Sequence, residues 1–262
     1  MIEKRALVTG AGKRLGRAMA LCLAENGYDV AVHYNTSKKQ AETVADEIRT
    51  LGRRAEILGA DLLDEAEAQS LIGRASEALG GPLTVLVNNA SIFEYDNIET
   101  ATRQSWDRNV GSNLRAPFVL TQNFVKAVPD PTLDANGEPV ANALVVNMLD
   151  QRVRKLTPEF MTYTMSKMGL WALTQTMAQA LGPAVRVNAI GPGPTIRGEN
   201  EPSERFEKQR AGTVLERGSN PEDIVSALVY LLNAHGVTGQ LLCVDGGQHL
   251  GWQSRDIIGP EQ

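Results

Sequence analysis

Three side chains within a short stretch could run a proton transfer: Asp150, Tyr163 and Lys167. Tyr163 and Lys167 are four positions apart. On a helix that spacing puts both on one face, one turn apart, where the ammonium can lower the phenol pKa and ready it to give up a proton. Asp150 follows the apolar run ALVVNML. That places it at the carboxyl end of a predicted strand, where open α/β sheets carry their chemistry. A carboxylate there restricts which substrate can sit beside it.

The elements that must position this group follow from the hydrophobic pattern. Apolar strand-like runs recur as RALVTG, YDVAVHY, RAEILGA, LTVLVNN, NALVVNM, VRVNAI and LLCVDGG. Helical spacing covers 15–26, 38–51, 65–79, 103–127, 163–181 and 221–233. Alternation of this kind predicts an α/β fold of Rossmann type: a doubly wound, parallel, seven-stranded sheet with helices on both faces. No Pro/Gly/Ser-rich linker divides the chain, so residues 1–262 are read as one domain. Two segments interrupt the rhythm. PDPTLDANGEPV (129–140) is rich in turn formers and is expected as a surface excursion. The segment of approximately 191–220 leaves the catalytic edge after the sixth strand, and is read as a substrate lid or else a variable surface helix pair.

Composition removes other classes. The hydrophobic share of 42% across 262 residues is enough for a large core. A net charge of -5 with scattered basic residues argues against a nucleic-acid surface, and runs such as 152–155 read as solvated faces. No stretch approaches the roughly 20 apolar residues of a membrane helix, and MIEKRALVTG enters a strand at once, so a cytoplasmic protein is expected. Cys22 and Cys243 have neither metal-ligand nor CxxC spacing and are expected as two buried, reduced thiols. His33, His235 and His249 form no ligand cluster, so no metal is assigned.

The first strand runs into Thr9-Gly10-Ala11-Gly12-Lys13-Arg14-Leu15-Gly16 and then a helix. Small residues let the backbone approach a pyrophosphate, and the helix amino terminus supplies N–H donors. The second strand ends His33-Tyr34-Asn35-Thr36-Ser37-Lys38, with no acid where an NAD site holds its ribose hydroxyls. Hydroxyls and Lys38, with Lys13 and Arg14, instead favour the 2'-phosphate of NADP(H). The plainer reading is an exposed basic turn.

The whole chain resembles the short-chain dehydrogenases/reductases. The motifs that carry the resemblance appear in the family's order: Thr9 to Gly16, Asp61-Leu62, Asn88-Asn89-Ala90, Asn113, Tyr163-x-x-x-Lys167 and Pro192-Gly193. The resemblance implies that Asp61 and Leu62 meet the adenine, that Asn88 and Ala90 line the cofactor path, and that Lys167 also holds the nicotinamide ribose. Ile190 and Thr195 would face the carboxamide. It places a proton-relay water at Asn113, which otherwise only ties its helix to a neighbouring strand. It also implies a homotetramer built from helices 103–127 and 163–181 and the last strand.

Three departures narrow the resemblance. Arg14 stands at the family's middle glycine, Ser91 replaces the glycine of NNAG, and Asp150 replaces the serine thirteen residues before the tyrosine. With HYNTS and the ending VDGGQHLGW, these resemble the pteridine reductase and dihydromonapterin reductase branch. That branch implies a pterin ring surrounded by Arg14, Ser91, Phe93 and Asp150, with Tyr163 beside it.

Physical chemistry points the same way. An ionised carboxylate opposes the negative charge that develops on a ketone oxygen. It accepts instead from the amino and ring N–H groups of a pterin, whose C=N bond needs a proton at nitrogen as hydride reaches carbon. Phe93 could stack a flat heterocycle against the nicotinamide, or simply pack.

The expected activity is NADPH-dependent reduction of a dihydropterin to a tetrahydropterin. The alternatives are a short-chain reductase of another carbonyl or imine, and a protein that senses NADP(H) without catalysis. The tail GWQSRDIIGPEQ, with Trp252 and Arg255, is read as folding over a neighbour's site or as disordered.

Overall fold

The computed structural model describes residues 3–198 and 201–252. Strands β1 (Arg5–Val8), β2 (Asp29–Tyr34), β3 (Ala55–Gly59) and β4 (Val85–Asn88) alternate with helices α1 (Arg14–Glu25), α2 (Lys38–Thr50) and α3 (Glu65–Leu79). Helices α4 (Arg103–Val110) and α5 (Ala116–Phe124) follow, and then a small antiparallel hairpin of β5 (Thr132–Leu133) and β6 (Pro139–Val140). The chain continues through β7 (Ala143–Met148), α6 (Met161–Leu181), β8 (Val185–Pro192), α7 (Ser203–Ala211), α8 (Pro221–Asn233) and β9 (Leu241–Val244).

Seven strands form one sheet in the order β3-β2-β1-β4-β7-β8-β9, and every pair in it is parallel. The predicted α/β sheet is therefore present. Parallel strands must be covered on both faces, and their near-continuous apolar sequences show it. Val8, Val30 and Val146 pack with Met19 and Leu228 in one core, while Leu7, Leu86 and Val145 pack with Leu71 and Leu120 in the other. The chain winds outward from β1 to β3, then crosses back to β4, so the strand order reverses between β1 and β4. That crevice is where a doubly wound sheet binds ligands.

Two elements differ from expectation. The helix read over 103–127 is broken by a π turn at Gly111–Arg115 and ends at Phe124. Pro117 has no N–H to donate to the Asn113 carbonyl one turn back, so an α-helix cannot continue through this stretch. Cys243 is half-buried on the edge strand β9 rather than in the core, unlike Cys22. Among the described residues no helix is long and apolar enough to cross a membrane, and no cluster could hold a metal ion.

Candidate active site

Asp150, Tyr163 and Lys167 meet beyond the carboxyl end of β7. The Tyr163 hydroxyl donates to Asp150 Oδ2 at 3.0 Å, and Lys167 Nζ donates to the Met148 carbonyl at 2.8 Å. Lys167 Nζ also lies 5.6 Å from the Tyr163 ring centre. Burial raises the Asp150 carboxyl above its ordinary value, opposed by the Arg152 N–H bond to its Oδ1. Tyr163 is held well above 10, first by burial and then by the charge and hydrogen bond of Asp150. Burial lowers Lys167 to about 8, with Asp150 pulling it back up. The expected lowering of the phenol by Lys167 is therefore corrected. The ammonium is lodged on a backbone carbonyl, and burial followed by the Asp150 carboxylate raises the phenol, so Tyr163 is a protonated phenol with a proton to give.

The residues around this group come from two loops. Phe160, in the left-handed region at φ 55°, precedes α6 and cannot cap it with a side chain. A remote acid takes over: buried Asp96 accepts from Thr162 N at 3.1 Å and from Thr162 Oγ1 at 2.5 Å, while its carbonyl accepts from Phe160 N at 2.7 Å. A carboxylate at a helix amino terminus is favoured by the exposed N–H groups there. The same loop carries Phe93 and Tyr95. Phe93 stacks on Phe160 with centroids 4.4 Å apart and meets Tyr163 edge-on at 4.7 Å. Tyr95 meets Phe160 edge-on at 5.2 Å, and Arg152 lies 4.7 Å over the same ring. Phe93 therefore packs against Phe160 in this structure. Sequence reasoning missed Phe160, Tyr95, Asp96 and Arg152. Phe160 was detectable as an aromatic one helical turn before Tyr163, whereas Asp96 is 66 residues from its partner and left no local signal.

Ser91 and Asn113 are joined. The Ser91 hydroxyl donates to Asn113 Oδ1 at 3.2 Å, and that oxygen also accepts from Ile92 N at 2.8 Å. Asn113 Nδ2 donates to the Ile92 carbonyl at 2.9 Å and to Ser166 Oγ at 3.2 Å. The side chain thus pins the Phe93 loop to α6. Pro117 withholds the α-helical donor from the Asn113 carbonyl, within the π turn of Gly111–Arg115. Asn88 is buried and donates to Asn147 Oδ1 at 2.8 Å, tying β4 to β7.

The glycine-rich loop forms a cradle. Gly10 has φ 62°, and a Cβ on Gly16 would lie 2.2 Å from the Gly10 carbonyl oxygen and 2.6 Å from Asn89 Nδ2. Only hydrogen fits there. Thr9 Oγ1 accepts from Asn89 N at 2.8 Å and Ala90 N at 2.9 Å, which joins the loops after β1 and β4. Lys13 precedes α1 without a side-chain cap, and the first turn, Arg14, Leu15 and Gly16, contains no acid. Uncapped N–H donors beside a close-approach glycine fit a pyrophosphate. Asn35, Thr36 and Lys38 are exposed and Ser37 half-exposed at the end of β2, as a 2'-phosphate site requires. Asn35 Nδ2 reaches Asp61 Oδ1 at 3.4 Å, and Lys38 lies 3.8 Å from Glu42. Tyr34 lies against Gly59 of β3. The Leu62 side chain is in the core, leaving only its backbone to face an adenine.

His33 was placed among the cofactor ligands, and the structure corrects this. The ring is 1% exposed; Nδ1 accepts from Gly10 N at 2.9 Å and Nε2 faces the Ala60 carbonyl at 3.0 Å. Both nitrogens are occupied, which fixes the neutral Nε2–H tautomer. Burial lowers its pKa from 6.5 to about 4. The unfolded chain therefore takes up a proton that the fold refuses, and stability falls as pH drops from 6.5 towards 4, by roughly 3 kcal/mol. Urea midpoints across that range are expected to fall more steeply for the wild type than for His33→Gln. Parallel pH dependences would contradict this.

Beyond β8, Ile190 is also corrected. It is fully buried in the core, and its carbonyl accepts from Leu149 N at 2.8 Å, so it cannot face a carboxamide. Pro192 closes β8, and Gly193 N donates to the Val244 carbonyl at 3.0 Å. Thr195 Oγ1 donates to the Gly193 carbonyl at 3.0 Å and lies 2.6 Å from Ser219 Oγ. Arg210 pins both feet of the 191–220 excursion through the carbonyls of Pro194, at 2.9 Å, and Ser219, at 2.7 Å. Arg14, held at φ 53°, donates across the cleft to the carbonyls of Ile196 and Arg197 at 2.7 and 2.8 Å. Its guanidinium thus fastens the excursion to the glycine loop. Trp252 is exposed, and Arg255 with the rest of the tail lies outside the described residues.

A family model described as Enoyl-(Acyl carrier protein) reductase matches residues 10–249. The 3-oxoacyl-(acyl-carrier-protein) reductase FabG of Staphylococcus aureus (strain Mu50 / ATCC 700699) is 32% identical over 254 residues, covering 95% of this chain and 99% of its own. The crystal structure of FolM Alternative dihydrofolate reductase 1 from Brucella canis, complexed with NADP, is 39% identical with a TM-score of 0.89 and 97% of each chain covered. A short chain dehydrogenase from Burkholderia cenocepacia J2315, also in complex with NADP, has a TM-score of 0.84 at 29% identity, covering 94% of this chain and 97% of that one. With matches that span nearly its whole length and a common parallel sheet, the chain belongs to the short-chain dehydrogenase/reductase family.

Proposed function

We propose that this protein reduces a dihydropterin to a tetrahydropterin with NADPH. The observation that carries the reading is the 3.0 Å bond from Tyr163 to the Asp150 carboxylate, where a ketone reductase needs a neutral donor. NADPH, when bound in the cradle of Gly10 to Gly16, supplies the hydride. Asp150 accepts the N–H donors of the pterin and orients its C=N bond, while Tyr163, kept protonated by burial and by Asp150, gives its proton to the ring nitrogen. Lys167 holds the ribose side of the site. A water held at Asn113 would carry a proton from solvent, and Asp150 would pass it to the phenol oxygen left after the transfer.

Lys13, Lys38 and the hydroxyls after β2 favour NADPH over NADH, and the NADP found in the Brucella and Burkholderia structures supports this choice. The Brucella protein's name supports the pterin class. FabG favours a second reading, reduction of a ketoacyl thioester. Assembly as a cytoplasmic homotetramer is part of the proposal, and the half-buried apolar residues of edge strand β9 support a covered edge.

Dihydropterins, dihydrofolate, biopterin and simple ketones, assayed with NADPH and with NADH, test the reading. NADPH oxidation with a dihydropterin and little with ketones is expected. Turnover of ketoacyl thioesters with none of any dihydropterin would remove the pterin assignment.

A further inference from the structure

Arg152 acts on the proton-transfer group only through its backbone N–H bond to Asp150 and its charge, which draws the Asp150 and Tyr163 pKa values down, and its side chain stands at the rim of the same site. It is half-buried, its guanidinium donates to Thr157 Oγ1 at 2.8 Å, and it lies over Phe160. Among the described residues no carboxylate comes within ion-pair distance of it. Asp150, two residues away, is engaged by Tyr163 and by the Arg152 backbone N–H. A guanidinium presents five N–H donors in a rigid fork shaped for a carboxylate. Thr157 takes one of them.

The contacts run outward in a definite order. The phenol of Tyr163 meets Phe93, Phe93 stacks on Phe160, and Phe160 carries Arg152. An apolar aromatic wall thus starts at the proton donor and ends at a cation with unfilled donors. We propose that Arg152 reads a carboxylate at the far end of the substrate. The dihydropterin reduced here is then of the folate class, with its aryl linker along Phe93 and Phe160 and its acidic tail on the guanidinium. This rests on the dihydropterin reading of the site. Arg152 is a specificity residue, distinct from the groups that move the proton.

The full-length protein, assayed with NADPH, tests this by comparing dihydrofolate with dihydrobiopterin, which carries no carboxylate. Arg152→Met is expected to lower the ratio of the two kcat/KM values at least tenfold, chiefly through KM for dihydrofolate. Arg152→Lys, which keeps the charge but loses the fork, is expected to fall between. Raising ionic strength is expected to lower the wild-type ratio and leave the Arg152→Met ratio flat. The salt dependence isolates the carboxylate, because loss of the ring that stacks the aryl linker would lower the ratio without making the wild-type ratio depend on ionic strength, and a shift in Asp150 would change both substrates alike. A ratio in Arg152→Met within twofold of the wild type would overturn the proposal while leaving pterin reduction intact. Failure of the wild type to reduce either pterin would overturn the underlying reading, and this proposal with it.

Discussion

Asp150→Ser is expected to cost roughly 10²–10⁴-fold in kcat/KM for the dihydropterin and to raise the rate on a simple ketone. The carboxylate is within hydrogen-bond distance of Tyr163, and its charge is a main cause, after burial, of the high phenol pKa. Removing it lets the phenol fall back towards its ordinary range and takes away the acceptor for the pterin N–H groups. A serine hydroxyl instead donates to a carbonyl oxygen as its negative charge grows. Lys167 loses the support of Asp150 as well, so its pKa is expected to drop below its value of about 8. The basic limb of the kcat/KM profile should therefore move to lower pH. A companion stability measurement has a definite sign. The folded Asp150 carboxyl is raised, so the stability linked to its proton is present below its ordinary pKa and is lost as pH rises through the folded value. Urea midpoints of Asp150→Ser are expected to decline less than those of the wild type across that window. An Asp150→Ser enzyme that keeps its dihydropterin rate would show that the carboxylate does not choose the substrate.

Gly16→Ala is expected to abolish tight NADPH binding and to lower stability by about 1–3 kcal/mol. Its Cβ would lie 2.2 Å from the Gly10 carbonyl oxygen, which is backbone and cannot rotate away. The loop must move, and with it the N–H groups at the start of α1 and the Asn89 contact that joins β1 to β4. Gly73→Ala provides the control. Gly73 lies within α3, and nothing is within 4 Å of its Cβ position. That change is expected to stabilise the protein by up to about 1 kcal/mol without altering cofactor affinity. Fluorescence titration with NADPH and thermal melting read both variants. Equal affinities for Gly16→Ala and Gly73→Ala would refute the close-approach argument.

The strands were legible because a parallel strand buried on both faces needs a continuous apolar run, and that requirement is local. The break in the helix over 103–127 was written in Pro117, but its consequence required knowing which carbonyl the missing N–H left open. His33 and Ile190 show the opposite limit. Each lies in a motif-bearing stretch, and each points into the interior once the strands are paired.

The candidate proton-transfer group was legible for the same local reason as the strands. The i, i+4 spacing fixes Tyr163 beside Lys167, and the end of β7 fixes Asp150 at the carboxyl edge of the sheet. The sequence by itself thus determined the α/β class, the glycine cradle and the residues that could move a proton. The tertiary structure decided the direction in which the phenol shifts, since Tyr163 responds to its own burial and to the charge and hydrogen bond of Asp150 rather than to the presence of Lys167 four residues away. It also brought Asp96 and Phe93 to the start of α6, and set Arg14 across the cleft on Ile196 and Arg197. These contacts join residues far apart in the chain, and no periodicity or spacing encodes a pairing that exists only after the sheet has closed the distance.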